Sequence, residues 1–237
     1  MGLTLVVGIM SELSDAKSKA EFALQFQASN DALQEIGLAP HHEPENVKSW
    51  SADGYGYSGL HALREVAGML WKGNAIPREP LIDGRGQPPL EDQLFKQVLS
   101  SYEAPKPLGF FARLLGDPYQ AGLPPFIHLV FHSDANGFYV PLDFPMPLVP
   151  KFIEEKTAQI WPIGSTQRLK AEIDQLAAAL EIPDNLASQD DALWQAVDTP
   201  VSDQALWQAQ PIAAYSAVIL RDACRASLAT GAAITFA

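Results

Sequence analysis

The chain is short of cysteine and of long apolar runs, and both shortages restrict its class. Its one cysteine, Cys224, excludes an internal disulfide and fits a reducing compartment. No apolar run reaches the roughly 20 residues that a membrane-spanning helix needs. The N-terminus has no basic segment before its apolar residues, which argues against a signal peptide. We therefore expect a cytoplasmic protein without a membrane partner.

Positive charge is scarce as well. The 237 residues include 16 Lys or Arg against 28 Asp or Glu, so that the net charge is −12. Such a balance repels phosphate groups, and we expect neither DNA nor RNA nor an anionic membrane as a partner. The same charge favours a basic protein partner, although it also serves solubility alone.

Sequence motifs of the common enzyme classes are missing. The chain has no phosphate-binding loop, no dinucleotide-binding glycine pattern, no G-x-S-x-G, no H-E-x-x-H and no C-x-x-C. Whether the chain is an enzyme therefore stays open at this stage, and we expect no cofactor and no bound metal.

The most regular pattern lies between Pro125 and Pro147. Apolar and polar residues alternate along residues 126–134 and 138–145, as in strands with one buried face. Between them, Asn136-Gly137 is typical of a two-residue hairpin turn. Helical periodicity predicts helices elsewhere, including residues 55–71. We predict one α+β domain over residues 1–237, with a small antiparallel sheet and a central β-hairpin (about 126–145) covered by several helices.

Polar side chains share one face of the predicted hairpin. They are His128, His132, Asp134, Tyr139 and Asp143. A solvated sheet face is the simplest interpretation, and a ligand-binding or catalytic site is the alternative. Two histidines and a carboxylate can hold a metal, but a His-x3-His spacing is typical of metal sites on helices rather than on strands.

A second polar row lies on the predicted helix of residues 55–71. Tyr57, His61 and Arg64 recur at helical spacing, and Ser58 is a candidate N-cap. This row is either an ordinary helix surface or a part of the same cleft as the hairpin face. Under the second interpretation, both rows belong to one candidate binding site.

Two sequence blocks resemble a group of uncharacterised bacterial proteins. They are Y-S-G-L-H-x-L-R at Tyr57–Arg64 and H-S-D-x-x-G-x-Y-x-P-x-D-F at His132–Phe144, followed by G-S-x-x-x-L-x-x-E-I at Gly164–Ile173. The resemblance implies a single α+β domain. The resemblance implies no reaction, and it assigns a catalytic role to none of the residues in this chain.

Three functions fit these features. The first is an acidic binding protein of the immunity or antitoxin type, whose negative charge speeds association with a basic partner. The second is a metal-assisted or acid–base hydrolase that uses the hairpin histidines and aspartates. The third is a small-molecule binder in which His61 and Arg64 hold an anion. The lack of a complete catalytic motif favours the first function, and the acidic residues 184–198 are an alternative working surface.

Overall fold

The computed structural model describes residues 3–81, 89–102, 123–133, 136–150, 161–199 and 205–236, apart from the Tyr57 side chain. These residues form an α+β fold, which confirms the predicted class. The strands are β1 (Thr4–Val7), β2 (Trp50–Asp53), β3 (Phe138–Val140), β4 (Ile163–Ser165) and β5 (Ile234–Phe236). The helices are α1 (Ile9–Glu12), α2 (Ala16–Glu35), α3 (Gly56–Lys72), α4 (Leu90–Ser101), α5 (Ile127–Phe131), α6 (Thr166–Ala179), α7 (Asp191–Asp198), α8 (Leu206–Ala209) and α9 (Pro211–Thr230).

The strands form one mixed sheet in the order β2-β1-β5-β3-β4. β1 pairs antiparallel with both β2 and β5, and β3 pairs antiparallel with β5 but parallel with β4. The pairing of β1 with β5 places the first and the last described strand side by side.

The two faces of the sheet carry different helices. Leu5 and Val7 of β1 pack into a core that includes residues of α3, α6 and α9, whereas Val6 packs with Phe26 and Leu33 of α2. Successive strand residues point to opposite faces, so this division follows the strand period. α2 therefore covers one face, and the other helical layer covers the second face.

Several helix ends lie where sequence signals predict them. Asp15 caps α2 by accepting a hydrogen bond from the backbone N–H three residues later, and Ser165 caps α6 in the same way. Pro211 is the first residue of α9, and Gly231 follows its last residue with a φ of 76°.

The predicted central hairpin is wrong in its first half. Residues 127–131 form α5 instead of a strand, and β3 pairs with β4 and β5. The sheet is therefore mixed rather than purely antiparallel. The alternation is misleading because Ile127, His128, Leu129 and Val130 are all buried, so that α5 has no polar face.

Two side chains from other helices, Glu172 and Arg64, stabilise the ends of α5. Glu172 of α6 accepts hydrogen bonds from the backbone N–H groups of His128 (3.0 Å) and Leu129 (2.8 Å), where a helix leaves its N–H groups unpaired. At the other end, Arg64 of α3 donates to the carbonyls of Leu129 (3.0 Å) and His132 (2.9 Å). The Arg64 charge also complements the helix dipole. These partners are distant in sequence, so no local pattern predicts them.

The long helix α9 packs in the core on the face of the sheet opposite α2. Its Cys224 is buried, and burial raises the pKa of that thiol. Within the described ranges, no helix, α9 included, has the length and apolar character to span a membrane.

Candidate functional site

Three of the predicted site residues meet at one pocket. A cavity of about 440 Å³ is lined by His61 and Arg64 of α3, by Glu91 of α4 and by His132, which follows α5. Glu91 Oε1 lies 2.7 Å from His61 Nδ1 and 3.7 Å from Arg64 Nη1. His61 and Arg64 of the helix row therefore lie at the same cavity as His132.

His132 forms a fixed wall of this pocket. Its residue is 4% exposed, and its ring stacks on Tyr139 with 4.0 Å between ring centroids. Its Nδ1 lies 3.0 Å from the Ser133 carbonyl, and its Nε2 lies 3.2 Å from the Phe138 carbonyl. Sequence alternation placed this histidine on a solvated face, but the structure buries it.

His128 and Tyr139 lie behind the pocket, in the core. His128 is 1% exposed, and its Nδ1 accepts a hydrogen bond from the Ser165 N–H at 3.0 Å. Burial lowers the pKa of His128 to about 3, although the nearby Pro145 carbonyl opposes this shift. The ring is therefore neutral near pH 7. The Tyr139 hydroxyl donates to the His128 carbonyl at 2.9 Å, so both side chains stabilise the interior.

Asp143 and Ser58 lie away from the pocket. The Asp143 carboxylate is exposed and accepts hydrogen bonds from Arg168 Nε (2.5 Å) and Nη2 (3.2 Å). Ser58 is not the N-cap of α3: Tyr55 holds that position, and the Ser58 hydroxyl donates to the Tyr55 carbonyl. Asp134 and the Tyr57 side chain lie outside the described residues. The assignment of these residues to one binding site stays a prediction.

The hydrolase hypothesis requires His128, His132 and Asp143 on one surface. The structure places them in three different surroundings: the core, the pocket wall and an exposed ion pair. In the described part of the chain, no group of three or more His, Cys, Asp or Glu side chains is arranged to hold a metal. No contact of the described residues favours the hydrolase function.

Negative charge is concentrated in α6 and in the residues that follow it. Between Lys170 and Arg221 the sequence contains eight Asp or Glu residues and no Lys or Arg. We call residues 181–198, which include α7, the acidic segment. Its Asp184, Asp191 and Asp198 are exposed, and no Lys or Arg of the described ranges forms a salt bridge with them.

Two side chains of α9 anchor the acidic segment through hydrogen bonds to its backbone. Arg221 of α9 is 2% exposed, and its Nη2 donates to the carbonyls of Leu186 (2.5 Å) and Pro183 (3.2 Å). The Asp222 carboxylate accepts a hydrogen bond from the Ser188 N–H at 2.8 Å. A segment fixed in this way presents its carboxylates without further ordering when a partner binds.

Arg221 is the supporting residue that sequence reasoning missed. The available signal was a lone arginine within the apolar pattern of residues 211–224. Arginine is seldom fully buried without partners, so such a position points to acceptors nearby. The sequence could not show that those acceptors are carbonyls of the acidic segment.

A family model with the description "Putative DNA-mimic protein" matches residues 1–236. No curated protein and no solved structure matches the chain. The match supports the general prediction of an acidic binding protein. It also corrects the predicted partner, for which we expected a basic protein and no nucleic acid. The family description instead suggests a protein that binds DNA, so charge alone was too coarse a guide to the partner.

Proposed function

The chain belongs to this family of DNA-mimic proteins, and we propose that it binds a protein whose own ligand is DNA. In this proposal the chain occupies the surface that DNA would otherwise take. The observation that carries the proposal is the family match over residues 1–236. The net charge of −12 supports it, because side chains that bind DNA phosphates also attract carboxylates.

The acidic segment is the proposed contact surface. Asp191 and Asp198 are the first and last residues of α7 and lie seven positions apart, so they share one helix face at a separation of about 10.5 Å along the axis. Duplex DNA likewise presents negative charges in rows along an axis. The anchoring by Arg221 and Asp222 supports this choice, since fixed charges bind with less loss of conformational entropy.

The proposed effect of binding is inhibition. A protein whose DNA-binding surface is occupied cannot bind DNA there at the same time. This effect corresponds to the immunity or antitoxin type of function, in which an acidic protein neutralises a harmful partner. A cytoplasmic location, where DNA-binding proteins work in cells without a nucleus, belongs to the same proposal.

The test is a competition between the chain and DNA. The partner is isolated by cross-linking in the source organism, and a fluorescent DNA duplex is then bound to it. We expect the chain to displace the duplex. We also expect the affinities of the partner for the chain and for the duplex both to fall as salt rises, because both depend on charge. A partner that binds no DNA, or that binds the chain and the duplex simultaneously, would contradict the proposal.

Charge-neutralised variants locate the contact. The first variant combines Asp184→Asn, Asp191→Asn and Asp198→Asn. The matched control combines Glu12→Gln, Asp31→Asn and Glu45→Gln, three exposed carboxylates in the N-terminal part of the chain. Both variants change the net charge equally. We expect the first to weaken displacement about tenfold, from three contacts of about 0.5 kcal/mol each. Equal losses in both variants would mean that total charge, not the acidic segment, determines binding.

A further inference from the structure

Two exposed aromatic side chains, one of them within the acidic segment, contact the same buried tyrosine. Trp194 of α7 is 43% exposed, and Tyr55, just before α3, is 37% exposed. Both contact Tyr215 of α9, at ring-centroid distances of 4.5 Å for Trp194 and 6.4 Å for Tyr55. Exposed aromatic groups that lie together on a surface are typical of binding sites.

Trp194 shares its helix face with two carboxylates. The buried residues of α7 are Leu193 and Ala196, which direct the opposite face to solvent. Helical spacing places Asp191, Trp194 and Asp198 together on that solvent face, with the indole between the two acids. The face therefore combines a flat aromatic surface with negative charge on both sides.

The indole rests on a rigid support. The Tyr215 hydroxyl donates to the Asp53 carbonyl at 2.9 Å, which ties α9 to β2 beneath the aromatic cluster. Burial raises the pKa of Tyr215 to about 12, with the nearby Asp53 charge adding to the shift, so the hydroxyl stays protonated near neutral pH. One side of the indole is thus fixed against the protein, while a large part remains open to solvent.

We infer that Trp194, Asp191 and Asp198 form a binding site for an arginine guanidinium of the DNA-binding partner. The inference rests on the proposed function and specifies its contact chemistry. A guanidinium is planar, so it stacks on an indole while its N–H groups donate to flanking carboxylates. Arginine is also the side chain that proteins use most for contacts with DNA bases and phosphates. The aromatic group strengthens the preference for arginine over lysine, because a planar guanidinium stacks on an indole as well as pairing with carboxylates.

The test measures the preference for arginine directly. The unmodified chain is titrated with oligoarginine and oligolysine peptides of equal length, and binding is followed by the indole N–H signals in nuclear magnetic resonance spectra. Trp194→Leu identifies the Trp194 signal by its loss. We expect oligoarginine to shift that signal and to bind roughly two- to fivefold tighter than oligolysine, which is the size of an exposed cation–π contact.

Two variants separate the aromatic from the charge contribution. Trp194→Leu should reduce the preference for arginine, because it weakens oligoarginine binding more than oligolysine binding. Asp191→Asn with Asp198→Asn should weaken both peptides and keep the preference. The matched control is Phe95→Leu in α4, an aromatic residue of nearly equal exposure (42%) that lies outside the acidic segment, and it should leave the preference intact.

A preference that is undiminished in Trp194→Leu, or that never appears in the unmodified chain, would overturn the inference. So would an equal loss of preference in the Phe95→Leu control. None of these outcomes affects the proposed function, because displacement of duplex DNA tests that separately. Thermal unfolding of each variant confirms that it is folded, and the spectra of the unmodified chain test the inference without any substitution.

Discussion

Gly164 of β4 lies where no side chain fits. A Cβ atom at this position would overlap the Tyr139 ring, which is itself 2% exposed and stacked on His132. Neither the ring nor the parallel strand pair β3–β4 has room to move, because both are buried. The small residue at this position therefore permits the close approach of the aromatic ring to the strand backbone.

We predict that Gly164→Ala destabilises the protein by about 1–3 kcal/mol, the usual effect of overpacking a filled core. The measurement is the free energy of unfolding in urea. Tyr139→Leu removes the obstructing ring, so adding Gly164→Ala to that variant should be much less harmful than adding it to the unmodified chain. Additive effects in this double-mutant cycle would show that contact with the ring is not the cause.

At the scale of single elements, α5 depends on its end contacts. This helix has only 5 residues and no capping side chain of its own at Phe126. Short helices are unstable without tertiary contacts, so Glu172 and Arg64 supply what the local sequence lacks. The same contacts place His132 at the pocket, which links the stability of α5 to the pocket geometry.

The pKa of Glu172 makes this contact dependent on pH. Burial raises that pKa from 4.5 to about 8, against the two backbone N–H groups that favour the ionised form. Between these values the folded chain holds a proton that the unfolded chain has released. The contribution of Glu172 to the free energy of unfolding therefore falls as pH rises from about 4.5 to 8. His128 has the opposite sign, and its contribution is complete above its unfolded pKa of 6.5.

We predict that Glu172→Gln flattens the pH profile of stability. Glutamine does not titrate, so the difference in unfolding free energy between the two proteins should change steadily between about pH 6.5 and 8. Urea titrations at several pH values measure it. Glu65→Gln is the control, because Glu65 also accepts a backbone N–H bond but is only partly buried. Parallel profiles for Glu172→Gln and the unmodified chain would contradict the expected protonation of Glu172.

At the scale of the whole molecule, the residues that carry the exposed charge of the acidic segment are not the residues that anchor it. The buried contacts of the acidic segment involve Arg221, Asp222 and backbone groups, whereas Asp184, Asp191 and Asp198 are exposed. These carboxylates add to the net charge of −12, and like charges repel one another in the folded state. The surface proposed to bind the partner is therefore held by groups other than those that would contact it.

We predict that neutralising Asp184, Asp191 and Asp198 together leaves the free energy of unfolding within about 0.5 kcal/mol of its original value. Any gain should appear at low salt and shrink at high salt, since salt already screens the repulsion. Thermal or urea unfolding at two salt concentrations measures it. A substantial loss of stability would show that these carboxylates hold the segment together, and the binding variants would then need reinterpretation.

The sequence by itself determined those features that depend on local periodicity and on composition. The stripes and caps of α2, α6 and α9 are set by residues a few positions apart, so their ends could be predicted. Composition alone established the acidic character, which led us to expect a binding protein that relies on charge. The α+β class followed from the mixture of both periodicities.

Only the tertiary structure decided the conformation and burial of residues 127–132. Their alternation predicted that His132 faces solvent, yet His132 is 4% exposed, whereas its neighbour Phe131 is only partly buried and stacks on Tyr102. Glu172 and Arg64 pair with the ends of this helix from distant positions, and such contacts can outweigh a local strand pattern. The anchoring of the acidic segment by Arg221 and the seating of Trp194 on Tyr215 also join residues far apart in sequence. Side chains that come into contact only after folding produce no periodic pattern in the sequence. The pocket at His132 and the arrangement of the acidic segment could therefore be found only from the tertiary structure.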